Sequence, residues 1–374
     1  MNQWLTIVFL FFLCAFPKVA HAEEALPRGL FVTVLQEPPV LSSVKDINSL
    51  IDFSKKANIS TLFVQIYRAN QTWFPSTAGD QSPYDQIFRT MGEDPFTLLI
   101  KNAHAKGLEV HAWVNVFSLG NNYRAPILQK LGTDALTRNI AKKKSIKDYK
   151  IDNQYFLEPG DLRVREELST IVGEILTTYP DLDGIQFDYI RYPDKNPTYG
   201  YSPANIERFK KETGQATIED GSQIWKDWKR AQVTATLEQL VKKARSIRPQ
   251  IQISTTGCMP YVRAYEEAFQ DWSSWVSRGL VDFATTMSYA TTSADFEKYM
   301  LDAISKSADF KKVNTAIGAH SLLETPKIFA EQIRFCESAN GGSCVIFHYG
   351  SLLTAPALQD VLTGTATPSQ KESP

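Results

Sequence analysis

DGIQFDYIRYP, residues 183–193, is a short apolar run that ends in a carboxylate and a Pro-containing turn. Its GIQFD portion (184–188) has the length of a strand, and alternation puts Ile185 and Phe187 on one face, Gln186 and Asp188 on the other. A helix precedes it. Leu162, Leu168, Ile171, Val172, Ile175 and Leu176 recur at helical spacing between Asp161, a good N-cap, and Pro180, near which the pattern ends. The same unit repeats in both directions. Apolar or β-branched runs stand at LFVTVL (30–35), TLFVQIY (61–67), EVHAWVN (109–115), IQIST (251–255), VDFATTMSY (281–289), VNTAIGA (313–319) and CVIFHY (344–349), which with GIQFD makes eight. Amphipathic helical stretches lie between them, one bounded by Asp94-Pro95 at its start and Gly107 at its end. Strands that alternate with helices specify a parallel sheet, and eight of them close into a barrel. The prediction is an α/β fold, a (β/α)8 TIM barrel forming a single domain at 23–362, with extended loops on its catalytic face.

Composition agrees. The 374 residues are 43% hydrophobic with a formal net charge of -1, enough apolar material for a large core and no basic excess that would favour a nucleic-acid partner. Residues 1–22 join an apolar run, Leu5 to Phe16, to the cleavage pattern Ala20-His21-Ala22, which predicts a signal peptide cut after Ala22; an uncleaved anchor is the alternative. Export into the periplasm or beyond follows, with no membrane span after cleavage. Of the cysteines left, Cys258, Cys336 and Cys344, the last two flank ESANGGS and can pair in an oxidising compartment. C-x-x-C spacing is absent and the histidines are scattered, so neither a metal nor a cofactor is expected. The polar tail, 363–374, is expected to be disordered.

Two connections are longer than a barrel needs, those near 120–160 and 189–222. Both follow strands, so both emerge on the face where barrel active sites form. The first carries Arg138, Lys142, Lys143, Lys144 and Lys147, a solvated loop by default with contact to acidic sugars as the alternative. Inward parity then selects polar residues strand by strand: Gln65 and Tyr67, His111, Trp113 and Asn115, Gln186 and Asp188, Ser254 and Thr256, and His348. Sugar hydroxyls need donors and acceptors while the apolar ring face stacks on aromatics, so a carboxylate ringed by such groups suits a glycan. Asp188, at the carboxyl end of its strand, is the catalytic candidate; its structural alternative is to hold Arg191 or cap the next turn. Arg191 and Tyr192 follow it directly and are candidate substrate contacts, and Trp73, Trp113 and Tyr289 are candidate stacking platforms. Asp183 and Asp282 stand at amino ends, remote from chemistry, and Trp225, Trp228, Trp272 and Trp275 have the spacing of packing residues.

The order RGLFVTV (28–34), DPFTLLIKNAHAKGLEVHAWVN (94–115), YFLEPGDLRVREEL (155–168), DGIQFDYIRYP (183–193) and FQDWSSWVSRGLVDFATTMSY (269–289) resembles the family-10-like glycosyl hydrolases, from about Arg28 to Tyr349. The resemblance implies a (β/α)8 barrel that hydrolyses glycosidic bonds in a polysaccharide, such as an envelope or peptidoglycan glycan, including strands stripped of peptide. Family members often carry two consecutive Asp where Phe187-Asp188-Tyr189 has one. Because glycoside hydrolysis ordinarily takes two carboxyl groups, a partner for Asp188 is needed. Asp271 matches a recurrent family position and is the provisional acid, with N-capping of WSSWVSRG as its structural alternative. Glu37, beyond the first strand, and Glu158 are rivals. The expected partner is a polysaccharide or oligosaccharide, and the rival function is a catalytically inactive carbohydrate-binding barrel acting as an envelope scaffold. Deacetylation or lyase chemistry is a third reading.

Overall fold

The computed structural model describes residues 28–365, apart from 141–144, 152, 195–197 and 340. The expected signal peptide, residues 366–374 of the tail, and Lys142, Lys143 and Lys144 lie outside the described residues. Eight strands form the centre: β1 (Arg28–Val32), β2 (Ile59–Arg68), β3 (Glu109–Asn115), β4 (Gly184–Asp188), β5 (Gln252–Gly257), β6 (Phe283–Met287), β7 (Val313–Gly318) and β8 (Cys344–Phe347). Each pairs in parallel with the next, and β8 pairs with β1 through Arg28 opposite Cys344, so the sheet closes on itself. All eight fall on runs read from the sequence. The largest displacement is in β1, which ends at Val32 rather than at residue 35.

Helices cover the outside, and their ends have local causes. Helix α1 (Val44–Lys56) joins β1 to β2, and α2 (Ser82–Met91) and α3 (Pro95–His104) join β2 to β3. Asp94 accepts from the Thr97 amide at 2.7 Å with Pro95 in the first turn, and Gly107 adopts φ 68° just past the helix, where a side chain would be strained. Short α4 (Pro126–Leu131) lies in the first long connection; α5 (Leu162–Thr178) follows it, capped by Asp161 accepting from the Arg163 amide at 2.9 Å. The second long connection carries α6 (Pro203–Thr213) and α7 (Gln223–Ile247); α8 (Tyr261–Glu266) and α9 (Trp272–Ser277) separate β5 from β6. Trp225, Trp228, Trp272 and Trp275 are buried packing residues, as their spacing indicates. The last helix, Pro356–Thr363, takes up the first residue assigned to the tail. Among the described residues, no helix is long and apolar enough to cross a membrane.

Parity sorts the strand residues into two cores. Val110, Ala112, Val114, Ile185 and Phe187 join the large core between sheet and helices. Phe31, Phe63, Trp113, Ala316 and Val345, with Phe283, Tyr289 and Phe347 against them, fill the barrel interior. One strand breaks the alternation. In β2, Gln65 lies opposite Trp113 but Tyr67 lies opposite Val114, so Ile66 is an extra residue, a β-bulge. Ile66 and Tyr67 consequently both enter the outer core, and inward parity passes to Arg68. At the amino ends, Asp183 accepts from the Val110 amide and Asp282 from the Ile253 amide, each at 2.7 Å, so both tie the barrel foot. Cys336 in the helix Pro326–Ser338 is disulfide-bonded to Cys344 at the start of β8, and Cys258 is buried and free.

Candidate active site

Asp188 ends β4 at the barrel mouth and is 6% exposed. Three donors fix its carboxyl group. The Tyr189 amide (2.7 Å) and Thr256 hydroxyl (2.6 Å) donate to Oδ1, and the Trp113 indole donates to Oδ2 at 3.0 Å. None is a cation, so the group is oriented without being neutralised by an ion pair. The chain turns sharply after it: Tyr189 has φ 50°, in the left-handed region that a bulky aromatic residue rarely occupies. Amides following β3 clamp this turn, with Val116 donating to the Asp188 carbonyl at 2.7 Å and Phe117 to that of Tyr189 at 3.2 Å. The Arg191 guanidinium covers the Tyr189 ring at 4.9 Å and is tied by Asp194 at 2.7 Å.

Asp188 opens into a cavity of about 400 Å³. Its wall from β1 to β3 is a polar relay in which Thr33 donates to Gln65 at 2.9 Å and Gln65 donates to Asn115 at 3.2 Å. The wall from β6 to β8 is aromatic: the Tyr289 ring lies 5.2 Å from His320 and 5.1 Å from Phe347, with His348 beside them. Burial and the neighbouring His320 pull His348 down to about 4, and burial lowers His320 as well, so both imidazoles favour the neutral form. Burial raises the Tyr289 phenol far above its ordinary value, which keeps it a proton-bearing donor.

Of the residues expected from the sequence, Gln65, Trp113, Asn115, Asp188, Arg191, Tyr289 and His348 line this cavity, and Thr256 reaches it through Asp188. Others stand elsewhere, for identifiable reasons. The bulge turns Tyr67 outward, where its hydroxyl accepts from Asn70 at 3.1 Å. His111 and Gln186 face inward as expected but too low. His111 is fully buried between Phe63 and Phe283, beside a cavity of about 230 Å³ at the amino ends, and Gln186 accepts from Ser254 within the barrel. Tyr192 points away from the mouth and donates to Glu158 at 2.5 Å. Both are buried beneath the long connections, where Asn205 of α6 donates to the Gly200 carbonyl at 2.7 Å, so Glu158 holds loops together instead of meeting a ligand. Asp271 is the N-cap of α9, accepting from Ser274 at 3.2 Å and from the Tyr261 hydroxyl at 2.6 Å. Glu37 is exposed on the loop after β1, and Trp73 packs against the outer core; neither lines the cavity. Arg68, Tyr189 and His320 do line it, although sequence reasoning passed over them.

Residues 28–333 match the family described as Glycosyl hydrolase-like 10. The chain belongs to this family. Glycosyl hydrolase DigH of Escherichia coli K12 is 23% identical over 267 residues, which cover 67% of this chain and 58% of DigH. Glycosyl hydrolase YngK of Bacillus subtilis 168 is 24% identical over 261 residues, covering 64% of this chain and 48% of YngK. The chain thus spans about half the length of the curated relatives it matches. The glycoside hydrolase domain of PgaB (BpsB) from Bordetella bronchiseptica shares the fold, with a TM-score of 0.70 at 14% identity over 90% of this chain and 99% of that one.

Within this glycosyl hydrolase-like barrel, Asp188 is the only carboxyl group among the described residues that line the cavity. Among the described residues no cluster of three or more His, Cys, Asp or Glu side chains could hold a metal. The described residues thus bring together one oriented carboxyl group, an amide relay on one side, the exchangeable protons of Tyr289, His320 and His348 on the other, and the guanidinium groups of Arg68 and Arg191.

Proposed function

We propose that the protein is an exported glycoside hydrolase that cleaves an envelope polysaccharide, with Asp188 as the nucleophile or base. The observation that carries this reading is the Asp188 carboxyl group, held by three non-ionic donors at the edge of a cavity that pairs polar and aromatic walls. An oriented carboxylate can attack the anomeric carbon or activate water there, and aromatic rings beside it suit a sugar face. Asp271 is replaced as the acid by the opposite wall, since Tyr289, His320 and His348 carry the protons available to the leaving oxygen. The depressed basicity of both imidazoles favours an acidic working pH. Family membership supports hydrolysis of a glycan, and the Cys336–Cys344 disulfide supports an oxidising compartment.

The lone carboxyl group also favours a second reading, a barrel that binds glycans without cleaving them. Digestion of purified peptidoglycan, peptide-free glycan strands and exopolysaccharide, followed by mass analysis, separates the possibilities. New reducing ends are the expected result. Binding without product would establish the scaffold, and an unsaturated product a lyase.

A further inference from the structure

We infer that Arg68 selects a glycan whose sugar carries a carboxylate. This rests on the reading of the cavity as a glycan site and adds to it the charge of the sugar. The first ground is the bulge: Ile66 and Tyr67 both turn outward, so the inward position after Gln65 falls to Arg68. Bulges beside active sites re-aim side chains in this way. The second is room. The guanidinium lies beside Gly120, which has φ 51° and no side chain, its Nη2 atom 3.7 Å from where a Cβ would stand.

The third ground is charge. Among the described residues the Arg68 side chain has neither an ion pair nor a hydrogen bond, although it is partly buried and lines the cavity. Its neighbour Arg191 is tied to Asp194, which also pairs with Arg263, and the three donors to Asp188 do not include Arg68. Among the described residues, the cavity thus holds one cation committed to no carboxylate. Burial pulls that guanidinium below its ordinary value, the effect an incoming anion would offset. A guanidinium presents two parallel N–H groups that match a carboxylate, whereas neutral hydroxyls leave its charge uncompensated.

The test is calorimetric binding to the Asp188→Asn protein, with and without Arg68→Gln. The probes are peptide-free cell-wall glycan strands and oligogalacturonate, each native and after reduction of its carboxyl groups to alcohols. The expected result is a preference of roughly 10- to 100-fold for the native form of at least one polymer, abolished by Arg68→Gln and partly kept by Arg68→Lys. Equal affinity for native and reduced forms, no binding of either polymer, or a preference that survives Arg68→Gln would each overturn the inference. Turnover by the unmodified protein is scored separately. Preference without turnover refutes hydrolysis and leaves the role of Arg68 standing, while turnover of neutral glycans without preference does the reverse.

Discussion

Replacing Asp188 with Asn probes the centre of the site at almost constant shape. An amide keeps one oxygen and puts an NH2 where the other was. In one orientation that nitrogen faces the Trp113 indole N–H, and in the other it faces the Tyr189 amide. Thr256 can reverse its hydroxyl to accept, but an indole and a backbone N–H cannot, so either orientation leaves one buried donor unmet. Such a donor costs about 1–3 kcal/mol, enough to lower Tm by a few degrees without unfolding the barrel. The chemical loss should be far larger, because an amide neither attacks the anomeric carbon nor takes a proton; a fall in kcat of about 100- to 10,000-fold is expected. Reducing-end release at saturating glycan, a melting curve and a binding isotherm together separate the two effects. A variant that melts a few degrees lower yet retains more than a tenth of the turnover, a loss of under about tenfold, would refute the assignment.

Asp271→Ala removes the acceptor for Ser274 and Tyr261 and should cost about 1–2 kcal/mol of stability with turnover intact; a loss of rate of about 100-fold would return Asp271 to the reaction. Tyr67→Phe deletes an outward-facing hydrogen bond, so stability should fall by about 1 kcal/mol while glycan affinity holds, and weakened binding would contradict the bulge. Burial pulls His111 from 6.5 down to about 4, so its stabilising contribution is complete above pH 6.5 and disappears as pH falls towards 4. That contribution is about 3 kcal/mol, and melting temperatures from pH 7 to pH 4 should decline less steeply in His111→Gln. Equal slopes would show that burial does not move His111 from its unfolded-state value.

Strand count and order were legible because short apolar runs alternate with helical stretches, two of them with clear caps, and Asp188 was legible because it is the last inward residue of a short strand. Parity alone could not give depth. His111 and Asn115 share a strand and a face, yet one lies at the amino-end foot and the other at the mouth, a difference fixed by strand register around the barrel. Nor does parity survive an inserted residue. The adjacent apolar pair Ile66-Tyr67, followed by Arg68, was the available signal, since two such neighbours cannot both face one core without a break in alternation. His320 follows β7 by two residues, in the same kind of position that singled out Asp188, and was passed over because it lies just beyond the strand. Asp271 shows the converse. An N-cap and a catalytic acid are spelled alike, and only the bonds to Ser274 and Tyr261 separate them.

The extra residue in β2 also says something about descent. Loss of a single codon at Ile66 would restore strict alternation with Tyr67 still outward and Arg68 still inward, while leaving every residue that holds Asp188 in place. A one-residue gap here in a relative therefore leaves the mouth unchanged, whereas an ungapped strand paired without the bulge would carry the phenol inward and the cation out, so relatives are better compared by their register at this position than by residue identity alone.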